Sequence, residues 1–478
     1  MRAPLPPFPN LQQLHKPMLK PLLVCLLATL WGCASQPPEA VPGKRHSTQE
    51  LLGYSVKDFH WQATRADQEQ AQREKDLQLL RERLALPPGE AADAALPEIL
   101  SAVLLYNREI EAARGPALAA LPGLAAKPVD YQRNVLSAVH RFYAAEAAAQ
   151  LWPLLAQLST PREFAIAAYA LLRPLQGATR DAARTQIQAR MQLQFPAWRD
   201  EPRLRALGLA LQGGAGAATP QVQPPLAELL AAPLRPGLPV VFSLQRPGRE
   251  VLGLAILRGP DGRFVREPDG RLFQVPQLAR ALADLPGTIT LGNTPQGLFA
   301  VRGSSTASNP SIGPTPFLET KLPIEAPVAE FFQVDGSDLD WSESLYEALL
   351  PSSWRQWAPL KEAWLAGRAG RDEILMHGSV VNPAYYLDAP YFPATPTAGC
   401  LTAPEQWDPS SGRLLASGQL RLAQAFARSF SQGPGGQDPM VKGYLLMLEL
   451  PGGSGPVRDS ELEAAVREAE QLWLSRPR

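Results

Sequence analysis

Apolar and polar positions follow two different rhythms along the chain. Leu77, Leu80 and Leu84 recur at i, i+3 and i+7, the spacing of one helix face. Pro87, Pro88 and Gly89 end that segment. Pro97 is expected in the first turn of the next helix, where its missing N–H is tolerated. Thr160, Pro161 and Glu163 have the spacing of a capping box with proline at the first helical position. Ala- and Leu-rich stretches over 131–158 and 161–172 read as successive antiparallel helices, although no fixed period establishes repeats. Residues 65–212 are therefore expected to form an all-α domain.

After Leu238 the rhythm shortens. The runs 240–244, 251–257, 263–267, 288–291, 298–301, 374–376 and 444–450 are short, turn-bounded and partly β-branched, so they predict strands. A helix is expected over 277–285, and an amphipathic closing helix, acidic at its start, over 460–474. Gly213, Gly214, Gly216, Pro220, Pro224 and Pro225 predict a linker over 213–238. The expected fold class is α+β: an N-terminal all-α domain, then one β-rich domain over 239–478.

The N-terminus reads as an address. Lys16 and Lys20 precede an apolar run over 22–31, a charged region and short hydrophobic region of a secretory signal, too short to span a bilayer. Leu30, Trp31, Gly32 and Cys33 resemble the lipobox of bacterial lipoproteins. That resemblance implies cleavage of residues 1–32 and lipidation of Cys33. Residues 33–64, with scattered Pro, Ser and Gly, would then tether the protein to a membrane. Ala34 rather than Asp follows Cys33, which points to a periplasm-facing site on the outer membrane. An ordinary signal peptide with a chance cysteine is the alternative.

Composition narrows the function. The 478 residues hold 46 Lys plus Arg and 46 Asp plus Glu, so the net charge is zero. Without a basic block, nucleic acid is excluded as a partner. At 45% hydrophobic residues a buried core is assured, and wholesale disorder is excluded. Of three cysteines, Cys25 lies in the signal and Cys33 in the lipobox, which leaves Cys400 alone. In an oxidising compartment such a thiol is either reactive or a small buried apolar group.

Two segments carry chemistry: His377-Gly378-Ser379, after the apolar run 374–376, and Thr397-Ala398-Gly399-Cys400-Leu401. His377, the only histidine after His140, can serve as base for the Cys400 thiol if the fold joins them. Thr402 and Glu405, with Pro404 between, have capping-box spacing and predict a helix just after Cys400, whose positive end would favour the thiolate. Backbone N–H groups around Cys400, with Gly399 allowing close approach, would form an oxyanion hole. His60 and His140 lack partners at metal-ligand spacing, and no metal or organic cofactor is implied. Trp354, Trp357 and Trp364 fall near one helical face, as packing residues or as a glycan platform. Papain-like peptidases place cysteine before histidine, and a serine triad lacks its elbow motif here.

At these residues the chain resembles the L,D-transpeptidases with a YkuD-type catalytic domain. His377, Gly378 and Ser379 match one motif; Thr397, Gly399, Cys400 and Leu401 match a second; Thr294-Pro295-Gln296-Gly297-Leu298-Phe299 matches an upstream turn. Ala398 replaces the family's histidine, and Thr402 replaces its basic or amide residue. The resemblance implies an L,D-transpeptidase-like fold, with Cys400 as nucleophile, His377 as base and the Gly378 carbonyl orienting the imidazole. The substrate would be a peptidoglycan stem peptide, opened through a thioester, with L,D-carboxypeptidase trimming if water is the acceptor. Candidate substrate contacts are Ser379, Thr397, Tyr385, Tyr386 and Arg302, with Arg368 and Arg371 further candidates for a carboxylate. Loop packing is the alternative for the tyrosines. A non-catalytic, peptidoglycan-binding or scaffolding lipoprotein, with the helical domain as its working surface for a protein partner, is the alternative for the whole chain.

Overall fold

The computed structural model describes residues 43–212 and 222–476, apart from positions 308, 310, 335, 337, 338, 380, 381, 435 and 437. The signal segment, Cys33, the first part of the expected tether and residues 213–221 of the expected linker lie outside the described residues.

Strand β1 (Lys44–His46) and helix α1 (Thr48–Gly53) come first. Then follow α2 (Ala66–Leu84), α3 (Glu90–Tyr106), α4 (Ile110–Ala119), α5 (Val129–Ala138), α6 (Ala144–Leu155), α7 (Pro161–Leu172), α8 (Gly177–Gln194) and α9 (Pro202–Gln212). Leu96, Ile99, Leu100 and Val103 form the buried stripe of α3, at helical spacing. Pro97 sits well inside this helix, not in its first turn. A proline there costs about 3 kcal/mol, but each large apolar side chain buried beside it returns roughly 1.5–3 kcal/mol. Burial wins. Helix α7 does begin at Pro161, yet the Thr160 hydroxyl bonds the Glu163 carboxylate at 2.5 Å and makes no bond to the backbone, so the two side chains pair with each other in place of a capping box.

The second half supplies α10 (Leu226–Leu230), β2 (Val240–Gln245), β3 (Gly253–Arg258), β4 (Gln274–Gln277), β5 (Gly297–Thr306) and β6 (Phe317–Lys321). It continues with α11 (Val328–Phe332), α12 (Glu343–Glu347), α13 (Glu362–Arg368), β7 (Leu375–Gly378), β8 (Leu401–Ala403), β9 (Glu405–Trp407) and β10 (Leu414–Ser417). Helix α14 (Gly418–Ser431), β11 (Gly443–Glu449) and α15 (Asp459–Leu474) complete it. The fold is mixed α and β. The main sheet runs β4-β3-β2-β11-β5-β6-β7-β8, with β1 also on β5. Pairs β2–β11 and β7–β8 are parallel. Its two ends meet: Leu278 and Thr402 exchange N–H···O bonds of 2.8 and 2.9 Å, which closes the sheet on itself.

That closure corrects several expectations. Residues 277–285 form no helix, because Leu278 bridges Thr402 and Ala281 bridges Thr397, and these bonds replace helical ones. The runs 263–267 and 288–291 make isolated bridges or turns, not strands. Residues 43–64 are not a free tether: β1 pairs with β5, and Leu51 of α1 is fully buried in the core of the sheet. The described part of the linker is also folded, since Ala227, Leu229 and Leu230 are buried and Arg258 donates to the carbonyls of Leu230 and Ala232.

The two halves share a core. Ala283, Leu285 and Ile289 belong to the helical cluster, and Arg173 of the helical half pairs with Asp284 at 2.9 Å. Arg205 on α9 forms a two-pronged pair with Glu343 on α12, at 2.5 and 2.6 Å. Trp354 and Trp364 are buried in the sheet's core, so they pack and present no glycan platform. No helix among the described residues is long and apolar enough to cross a membrane.

Candidate active site

Parallel pairing of β7 with β8 sets the site. Met376 lies opposite Leu401 and His377 opposite Thr402. Cys400 therefore precedes the ladder by one residue, two positions from the partner of His377. Strand geometry puts such diagonal neighbours about 8 Å apart at Cα. The Leu375 N–H reaches the Cys400 sulfur at 3.4 Å, as that register requires.

The turn that delivers Cys400 is built by hydroxyls. Thr397 Oγ1 accepts from the Gly399 N–H at 3.0 Å and donates to the Cys400 carbonyl at 2.9 Å. Thr294 Oγ1, fully buried, donates to the Gly399 carbonyl at 2.8 Å. Gly399 has φ of +132°, and a Cβ there would stand 2.1 Å from Arg371 Nη2. Glycine is thus required twice, by conformation and by the close approach of a guanidinium. Arg371 is itself buried, and its fork donates to the carbonyls of Gly287, Asn293 and Gly292 at 2.5, 2.7 and 3.0 Å. Its donors hold the floor of the turn rather than a substrate carboxylate.

Burial pushes the Cys400 thiol above its ordinary ionisation range, an effect that the Leu375 N–H and the Arg371 cation oppose and Glu373 reinforces. The expected helix after Cys400 is absent. Leu401–Ala403 is strand β8, because Thr402 is held on one side by β7 and on the other by Leu278, while its hydroxyl donates to the Thr395 carbonyl. No helix end therefore lowers the thiol. Nor is the Gly399 N–H free for an oxyanion, being held by Thr397.

His377 is 4% exposed, and its Nδ1 lies 2.7 Å from the Gly378 carbonyl. A carbonyl only accepts, so Nδ1 carries the proton and Nε2 is left as the basic nitrogen. Burial pushes this imidazole down to about 4, with the Gly378 bond opposing. At neutral pH the resting pair is a neutral imidazole and a neutral thiol, with no hydrogen bond between them among the described contacts.

The remaining candidates divide. Ser379 continues the β7–β8 pairing through its N–H to the Ala403 carbonyl at 3.0 Å, and its buried hydroxyl has no partner among the described residues. Tyr385 and Tyr386 are corrected: both are buried, with hydroxyls donating to Asp76 at 3.1 Å and to the Leu105 carbonyl. They anchor the loop between His377 and Cys400 to α2 and α3, and Asn382 adds a bond to the Glu69 carbonyl at 3.0 Å. Arg302 is also corrected. It lies on β5, separated from β7 by β6, and its charge is engaged by Glu330 at 3.1 Å. Arg368 donates to the Asp200 carbonyl at 3.0 Å.

Sequence reasoning missed Glu405 as part of this region. Its carboxyl packs against Gly378, so that a Cβ on Gly378 would stand 2.2 Å from Glu405 Cδ. Its only sequence signal, the spacing from Thr402, pointed to a helix cap instead. No group of three or more potential metal ligands occurs among the described residues. Comparison with protein-family models, characterised proteins and solved structures finds no match.

Proposed function

We propose that this chain is a cysteine acyltransferase of L,D-transpeptidase type, with an L,D-transpeptidase-like domain preceded by a helical one. It would act on peptidoglycan stem peptides from a lipid anchor at Cys33, facing the periplasm from the outer membrane. The observation that carries the reading is the bond from His377 Nδ1 to the Gly378 carbonyl, on the strand paired with the one that Cys400 enters. It leaves Nε2 as a base on the same strand pair as a lone thiol.

In that reaction the Cys400 proton passes to His377 Nε2, and the sulfur attacks the carbonyl carbon before a terminal D-residue. Collapse of the tetrahedral adduct breaks the amide, and the leaving amine takes the proton back from His377. The thioester is then opened by an acceptor amine, giving a cross-link, or by water, giving trimming. Because burial opposes both the thiolate and the imidazolium, the proton transfer is uphill in the unliganded site. Substrate contacts must supply the difference, which fits a thiol kept quiet until a peptide is bound.

The same neutral pair favours a second reading, a peptidoglycan-binding or scaffolding lipoprotein whose thiol has no chemistry. Incubation of the full chain with a carbapenem, a strained acyl donor, separates the two. The enzyme gains one adduct, Cys400→Ala abolishes it, and His377→Ala slows it by on the order of 10²–10⁴-fold. Muropeptides ending in a D-residue should also lose that residue or dimerise. A thiol inert to both substrates would overturn the enzymatic reading.

A further inference from the structure

Behind the His377 strand lies an acid that the proposed chemistry does not use. Glu405 on β9 turns its carboxyl to Gly378: a Cβ at that glycine would meet Cδ at 2.2 Å and both carboxyl oxygens at 2.4 Å. Gly378 has no positive φ, so space alone demands glycine there. Successive residues of a strand face opposite ways. The carboxyl therefore lies on the face away from the imidazole, beneath the residue whose carbonyl accepts from His377 Nδ1.

Glu405 is braced from the other side. Ser417 Oγ donates to Oε1 at 2.7 Å and accepts from the Leu420 N–H at 2.9 Å as the N-cap of α14. The carboxyl thus stands, through one hydroxyl, at the positive end of a 14-residue helix. Oε2 is sealed from solvent and has no well-formed hydrogen bond. The Thr315 hydroxyl and Trp407 indole N–H lie near enough to favour the anion without reaching bonding geometry.

We propose that Glu405 is a positioning residue for His377: held by Ser417 at the start of α14, its carboxyl supports the Gly378 backbone whose carbonyl orients the imidazole. This rests on the reading of His377 as the base. The role also links the site to pH. Burial pushes Glu405 up to about 7, so near neutrality it divides between acid and anion. Ser417 from β10, Thr315 from the loop before β6, Trp407 from its own strand and Gly378 from β7 face it, and none is charged. Its change of form reaches the imidazole through the Gly378 peptide, whose carbonyl accepts from His377 Nδ1.

The test follows the ring nitrogens of His377 by NMR in the full chain labelled with ¹⁵N-histidine, with His377→Gln to assign the signals. The wild type should show a step in the Nδ1 shift at about pH 7, besides the titration of the imidazole at about 4. Glu405→Gln keeps the shape and the Ser417 bond but cannot ionise, so the step should vanish. Persistence of the step in Glu405→Gln, or its absence in the wild type, overturns the proposal. A second arm tests the contact itself. Gly378→Ala, which drives a methyl into the carboxyl, should shift the His377 signals at pH 8, and Glu405→Ala, which removes the support, should shift them as well. Unmoved His377 signals in Glu405→Ala also overturn it. Neither readout needs turnover: a step at pH 7 in a chain inert to carbapenem would sink the enzymatic reading and leave the positioning role standing.

Discussion

Thr294 and Gly399, 105 residues apart, are joined by a bond of 2.8 Å from a fully buried hydroxyl to a turn carbonyl. It ties the entry to β5 to the turn carrying Cys400. Two segments that sequence could only place in order are thereby one structural unit.

Removing that hydroxyl at constant shape should leave the Gly399 carbonyl without its partner. Thr294→Val is expected to lose about 1–3 kcal/mol in urea unfolding. Thr294→Ser keeps the bond and should lose only about 0.8 kcal/mol for the missing methyl. Equal losses in both variants would mean that the methyl, not the bond, matters.

Gly399→Ala must fit a methyl 2.1 Å from Arg371 Nη2 at φ of +132°. Strain and overpacking together predict a loss of roughly 2–6 kcal/mol. Gly123, in the 3₁₀ turn Leu121–Ala126 with nothing within 4 Å of its missing Cβ and no positive φ, is the contrast. Gly123→Ala should stabilise by about 0.4–1 kcal/mol. Thermal melts of the pair give opposite signs if both sites are as described.

Thiol reactivity should track the Cys400 surroundings. Alkylation by iodoacetamide, followed by peptide mass, is expected to rise with pH to a midpoint above the ordinary 9.0, because burial resists the thiolate. Glu373→Gln removes a neighbouring anion and should move the midpoint down. A wild-type midpoint near neutrality would show an activated cysteine and contradict the burial.

Acid should weaken the fold through two histidines. Burial pushes both His140 and His377 down from 6.5 to about 4. The unfolded chain then binds more protons between these values, so stability is full above pH 6.5 and is lost as pH falls through 4. The shift is worth about 3 kcal/mol for each histidine. His140→Gln should flatten the fall of urea midpoints between pH 6.5 and 4; an unchanged slope would refute the neutral buried ring.

The anchor has its own check. Labelled palmitate is expected in the wild type and not in Cys33→Ala. Equal labelling of both would end the lipoprotein proposal.

The sequence alone determined the elements whose cause is local. Apolar spacing of Leu77, Leu80 and Leu84 along α2 and the short β-branched runs of β2 and β3 mark those elements wherever the chain folds, since each rests on neighbours within a few residues. The bond from His377 to the Gly378 carbonyl was expected from the resemblance alone, whereas Thr397, expected as a substrate contact, is found holding the Gly399 N–H and the Cys400 carbonyl.

What the tertiary structure decided is every feature whose partner is remote. Thr402 and Glu405 carry the local spacing of a helix cap, but Leu278 claims the Thr402 backbone and Ser417 claims the Glu405 carboxyl, so strands form instead. Tyr385 and Tyr386 look like groove residues until Asp76 and Leu105 take their hydroxyls. Residues 277–285 have helical composition, yet the closing sheet gives their backbone groups partners over a hundred residues away, and a buried N–H can serve only one arrangement. Local preference is worth tenths of a kcal/mol to about one per residue, less than an unpaired buried backbone group costs. Where the two conflict, the distant partner prevails, and the Cys400 turn lies where they conflict most.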